Sequence, residues 1–237
     1  TTTYYHANFK LSALGEELFL STQREPVGGD FTLVSLGSTW RYLDDGSDQG
    51  SAWRELDFDD GTWPVGVAEF GYGEDDEQTE ISFGADPDEK YPAAYFRTSF
   101  QVERIENLET VRIDLKVDDG AVVYLNGQEV DRVRMPDEVD YLTHATHRAP
   151  EDVFDTLEVD VAMMREGDNL LAVEVHQVSR TSTDVSFDLQ MVGVRPPSPA
   201  FVVDRLSFGP QRRDVSLGRA LDDPATLQFF GEPTPGE

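Results

Sequence analysis

Residues 111–130, VRIDLKVDDGAVVYLNGQEV, constrain the fold more than any other stretch of this chain. Val111, Ile113, Leu115 and Val117 alternate with Arg112, Asp114, Lys116 and Asp118. A period of two places the apolar set on one face of a strand. Asp118-Asp119-Gly120 punctuates the run, and Asp-Gly is a strong turn signal. A second apolar run follows, Ala121 to Leu125, and Asn126-Gly127 closes it. Asn-Gly supplies the positive φ that a two-residue hairpin turn needs. The stretch therefore predicts a β-meander of three strands.

The rest of the chain repeats this grammar. Phe31–Leu36, Thr39–Leu43, Ala94–Val102, Phe154–Val161, Leu170–Val175 and Val185–Val192 read as strands, with Gly, Pro, Asn and Asp between them. Val161–Glu166 is long enough for one helical turn, and no helix of ordinary length is expected. About eight short strands with turn signals between them argue for an all-β sandwich.

Composition excludes several functions. There are 47 acidic and 19 basic residues, a net charge of -28, and the only lysines are Lys10, Lys90 and Lys116. Such a field repels phosphate backbones and anionic lipid, so neither nucleic acid nor membrane insertion is expected. The acid excess suits a solvated surface in salty or extracellular water, or in part supplies cation sites. The chain has no cysteine, so disulfide and thiol chemistry are absent. The opening TTTYY, without Met, reads as a piece cut from a longer precursor.

Four motifs carry resemblances. VDDGAVVYLNGQEV, the aromatic-and-glycine pattern Trp53…DFDDGTWPVG…GYG, and REGDNLLAVEVHQ resemble a galactose-binding-like jelly roll. HANFKLSALGEELFL, near the start, resembles the middle of bacterial lamin-tail domains, which are small immunoglobulin-like sandwiches. There it is followed by a short turn and a VDxxxF strand. Here STQREPVGGD follows instead, and Val203-Asp204, Phe208, Asp214–Ser216, Gly218-Arg219, Phe229-Phe230 and Pro233–Gly236 match the end of that domain. The resemblance thus implies a jelly roll over 28–197 inserted between the parts of a split lamin-tail-like unit, 1–27 and 198–237. Insertions of this kind land at exposed hairpin tips, where little packing is lost.

No catalytic constellation stands out. No G-x-S-x-G elbow, phosphate-cradling glycine loop or distinctive carboxylate pair is present, so the chain is not expected to be an enzyme. His144-x-x-His147 lies in a polar loop and is weak as a metal motif. A sugar site needs aromatic platforms with polar groups beside them. Trp40, Trp53, Tyr72 and Tyr91 are the aromatic candidates, with Arg132 and His176 as polar partners. Galactose-binding-like domains often hold a structural calcium, and by that resemblance Asp44, Asp45, Asp48 and Asp188 are its candidate ligands. Calcium takes six to eight hard oxygens, which acidic loops supply. The function implied is a non-catalytic, extracellular module of a larger bacterial surface or secreted protein, binding carbohydrate or a cell-surface glycan beside neighbouring domains. A structural or adhesive spacer without a small ligand is the alternative.

Overall fold

A computed structural model describes residues 16–22, 28–74, 76–150, 153–196, 201–208, 210, 216–219 and 227–230. The chain divides into two compact units, one of residues 27–197 and one of 1–26 together with 198–237. In the smaller unit, β1 (Glu16–Thr22) pairs antiparallel with β14 (Phe201–Phe208), and β15 (Ser216–Arg219) pairs with β16 (Leu227–Phe230). The first ten residues of the HANFKLSALGEELFL stretch, and the matches at Asp214-Val215 and Pro233–Gly236, lie outside the described residues.

The larger unit is an all-β sandwich. Its strands are β2 (Gly29–Val34), β3 (Thr39–Leu43), β4 (Val65–Val67), β5 (Phe70–Tyr72), β6 (Thr79–Glu80), β7 (Ala93–Val102), β8 (Thr110–Asp118), β9 (Gly120–Leu125), β10 (Gln128–Val133), β11 (Phe154–Val159), β12 (Gly167–His176) and β13 (Val185–Arg195). One sheet has the order β10-β9-β12-β7-β3-β4. The other runs β11-β8-β13-β5-β6, and β2 also pairs with β13. Helix is confined to three single 3-10 turns, and no helix among the described residues is long and apolar enough to cross a membrane.

The alternation in 110–118 appears as expected. Val111, Ile113, Leu115 and Val117 are buried between the sheets, and the intervening charged residues are half-buried on the outer face. Asn126 (φ 53°) and Gly127 (φ 84°) form the turn joining β9 to β10, with Gln128 opposite Leu125. The Asp118–Gly120 signal works differently from the meander expectation. β8 and β9 do not pair; they lie in opposite sheets, and the DDG segment is the crossover between them. Asp119 explains this. It is buried, its carboxylate accepts from the Val178 amide at 2.6 Å, and its carbonyl accepts from Arg134 Nε at 2.5 Å. Bonds to distant segments replace the local bonds of a two-residue turn.

β9 is buried along its whole length because both of its faces are covered. Ala121, Val123 and Leu125 face the core between the sheets, and Val122 and Tyr124 belong to a second cluster with Trp53, Trp63, Tyr95, Met135, Ala145 and Ala172. The main core centres on packed, mutually tilted rings: Phe96 lies 4.4 Å from Phe187 and 5.1 Å from Phe70, centroid to centroid. Truncating a ring there removes buried area and leaves a cavity. Phe96→Ala should lower unfolding stability by about 3–5 kcal/mol in urea titration.

Candidate functional site

At one end of the larger unit the chain's loops converge. β3, β10 and β12 end there, and β7, β9 and β13 begin there. The loops are knitted together. Ser82 N donates to Asp44 Oδ2 at 2.6 Å, the Tyr141 hydroxyl donates to the Gly46 carbonyl at 2.7 Å, and Gln177 N donates to the Pro92 carbonyl at 3.0 Å. Lys90 Nζ donates to the Ser182 carbonyl and lies 4.9 Å from the Tyr72 ring centroid and 5.0 Å from that of Phe83. The half-buried Tyr91 ring covers Gly46, whose φ of 79° and lack of a Cβ allow that close approach. The cavity left there, lined by Tyr72, Phe83, Tyr91 and Gln177, measures about 20 Å³, room for a single water molecule.

The aromatic candidates are accounted for by this packing. Trp40, Trp53 and Tyr72 are buried, at 1%, 0% and 5% exposure. Trp40 meets Phe187 edge-on in the core, Trp53 packs on Tyr95 and Tyr124, and the Tyr72 hydroxyl accepts from Gln177. A sugar platform needs an open ring face, so burial removes these three from the proposed set. Arg132 is committed to Glu129 (2.7 Å to each carboxylate oxygen) and to the carbonyls of Pro136 and Asp137. The HxxH histidines serve separate partners: His144 Nδ1 meets the Gln177 carbonyl and His147 Nδ1 the Thr146 hydroxyl.

The four calcium candidates do not converge. Asp45 and Asp48 cap their own loop by accepting from Ser47 N and Gly50 N, and Asp44 accepts from Ser82 N. Asp188 lies on β13 in the other sheet and accepts from Gly37 N and Leu189 N, with burial pushing its carboxyl up. That geometry does not fit one shared ion. Among the described residues, the carboxylates that do come together are Glu69, Glu74 and Asp76, within 4.8 Å of one another. Lys116 Nζ, 3.0 Å from Glu69 Oε2, already supplies positive charge there.

The loop 44–64 folds over the outer face of the β10-β9-β12-β7-β3-β4 sheet and covers a charged cluster. Glu174, 3% exposed, accepts from the Tyr124 hydroxyl at 2.6 Å and from Arg54 Nη2 at 3.4 Å. Its other oxygen lies 3.6 Å from Nε2 of the fully buried His176, whose Nδ1 lies 2.8 Å from the Thr143 carbonyl. Burial pushes the Glu174 carboxyl up, but the facing imidazole, phenol and guanidinium more than offset this and hold it below the usual carboxylate range. The Arg54 guanidinium stacks 4.1 Å over the Tyr124 ring.

Beside this covered cluster the same face opens into a groove of about 350 Å³. Thr39 and Arg41 of β3, Ser99 of β7, Val65 of β4 and Asp60 of the covering loop line it. Thr39, Val65 and Ser99 are exposed, Val65 at 56%. Asp60 joins two arginines, Arg41 Nε at 3.3 Å and Arg97 Nε at 2.7 Å. Trp40, 1% exposed, also borders the groove and is the sequence candidate found there; Thr39, Arg41, Asp60, Val65 and Ser99 were not candidates. The one available signal was an arginine inside the apolar run AAYFRTSF together with the acidic DFDDGTW loop.

No protein-family model matches the chain, and no curated protein matches it. Among solved structures, it is similar to part of a beta-glycosidase from Bacteroides vulgatus, at 15% identity and a TM-score of 0.47, over 68% of this chain and 20% of that one. A calcium-binding mutant of Bacteroides uniformis beta-glucuronidase 2 is 14% identical at a TM-score of 0.49, over 70% of this chain and 18% of the other. An uncultured Clostridium sp. beta-glucuronidase is 13% identical at a TM-score of 0.45, over 91% and 40% respectively. The chain thus spans about a fifth of the length of the first two glycosidases. At TM-scores below 0.5 the likeness assigns no activity to it.

Two measurements probe the covered cluster and the packed tyrosines. Glu174→Gln leaves Arg54 and His176 facing an amide, and should destabilise the fold by about 2–3 kcal/mol in urea titration at pH 7. Burial pushes the Tyr72 and Tyr141 phenols up to about 12, and raises those of Tyr95 and Tyr124 as well. Each contributes stability that is full below the ordinary value of 10.0 and lost as pH rises through its folded value. Tyrosinate absorbance followed with circular dichroism should therefore show these residues ionising above the ordinary value of 10.0, together with loss of the fold.

Proposed function

We propose that this chain is a non-catalytic carbohydrate-binding module of a larger extracellular protein, bacterial and either secreted or surface-held. In this reading the larger unit is a galactose-binding-like jelly roll set into a lamin-tail-like unit. The ligand lies in the groove on the outer sheet face, not at the closed loop end. The observation that supports this is the groove itself: about 350 Å³, against about 20 Å³ at the loop end. Sites for small molecules are typically about 300–1,000 Å³.

The lining suits a saccharide. The hydroxyls of Thr39 and Ser99 donate and accept, the Arg41 guanidinium donates, and Val65 offers an apolar surface to ring C–H groups. Glu174 and His176, the pair with the chemistry for acid–base work, are sealed beneath the loop, which supports a role in holding the fold. The groove's lining contains a single carboxylate, Asp60, already shared by two guanidiniums, so binding is expected not to require calcium.

The second reading is a structural or adhesive spacer. The burial of Trp40, Trp53 and Tyr72 favours it, because among the described residues of the larger unit Phe154 is then the one exposed aromatic. A glycan array probed with the purified chain separates the two. The binding module should give saccharide hits that persist with chelator, and Ser99→Trp, which fills the groove from an exposed strand position, should weaken them at least about tenfold, some 1.4 kcal/mol. A blank array with folded protein would leave the spacer.

A further inference from the structure

The groove's charge arrangement points past a neutral sugar, and the argument rests on the reading of the groove as a saccharide site. Two guanidiniums share one carboxylate. Arg97 is 3% exposed and fully engaged: Nε donates to Asp60, Nη1 to the carbonyls of Trp53 and Glu55, and Nη2 to that of Phe58 at 3.5 Å. Arg41 Nε forms an ion pair with Asp60 Oδ1 at 3.3 Å, and Nη1 donates to the Trp63 carbonyl at 3.1 Å. Its Nη2 has no hydrogen-bond partner among the described residues, and its side chain is 39% exposed. Both Asp60 oxygens are already paired, so the three groups leave one positive charge in the groove of a chain with a net charge of -28.

A planar guanidinium held at two of its nitrogens is a pre-organised donor. Little side-chain freedom remains to be lost on binding, and its preferred partner is a planar carboxylate. We infer that the groove selects saccharides carrying a carboxylate, that is, uronic acid residues. Arg41 anchors the carboxylate, Thr39 and Ser99 meet neighbouring hydroxyls, and Val65 meets the C–H face. The chain's overall negative field does not prevent this at physiological salt, where exposed charges more than about 8 Å apart are largely screened.

The test compares ligands differing only in charge: oligogalacturonate and its methyl ester, measured by isothermal titration calorimetry at about 0.15 M ionic strength, with oligoalginate as a second acidic probe. An acidic form should bind about tenfold or more tightly than the ester, a difference of at least 1.4 kcal/mol. Arg41→Gln should abolish that preference, Arg41→Lys should keep part of it, and both variants should melt cooperatively. Equal affinity for acid and ester, or binding confined to neutral glycans, would overturn the carboxylate preference and leave the neutral-sugar reading standing. No binding of any saccharide by folded protein would overturn both.

Discussion

The outer face of one sheet is organised by a buried guanidinium. Arg97 stands in the middle of β7, where Tyr95 on the same face is packed under a loop. A charge there is costly to bury unless every donor is satisfied. The loop 44–64 satisfies it by presenting three backbone carbonyls and the Asp60 carboxylate. The same bonds hold Trp53 over Tyr95 and Tyr124, and so bring Arg54 to Glu174. The lid over the face and the wall of the groove are thus consequences of one side chain's need for partners.

This arrangement moves the candidate site from the sandwich end to its side. Loop ends of sandwiches are natural ligand sites because they combine variable loops with a rigid base. Here that end is filled by Tyr91, Tyr141 and the Lys90 latch, each spent on a neighbouring loop. The strand face beside the lid is left open instead. Apart from Asp60 on the covering loop, Thr39, Arg41, Val65 and Ser99 sit on β3, β4 and β7, where backbone pairing fixes their spacing.

The main errors of a sequence reading come from the same physics. Trp40, Trp53 and Tyr72 sit in or beside turn residues, and such an aromatic looks available in sequence; Trp40 and Tyr72 are buried in the core between the sheets, and Trp53 where loop 44–64 packs back on the outer face. Asp44, Asp45 and Asp48 look like a cation loop, yet Asp45 and Asp48 accept from amides two residues on, as Asp does in turns, and Asp44 accepts from Ser82 N of a distant loop. The groove was not legible. Asp60 and Val65 lie within DFDDGTWPVG, but no local pattern brings Arg41 and Ser99 beside them.

What the sequence determined by itself is local: the strands with period-two or continuously apolar patterns, the turn at Asn126-Gly127, and the all-β class that follows from them. Alternation and positive-φ turn chemistry act over a few residues, so they can be read without a partner. What the tertiary structure alone decided is pairing. It set β8 and β9 in opposite sheets although two residues of DDG signal a turn, and it chose which aromatics became core. It also brought Arg41, Asp60 and Arg97 to one face. Those outcomes depend on hydrogen bonds and burial between residues tens of positions apart, for which no local pattern exists.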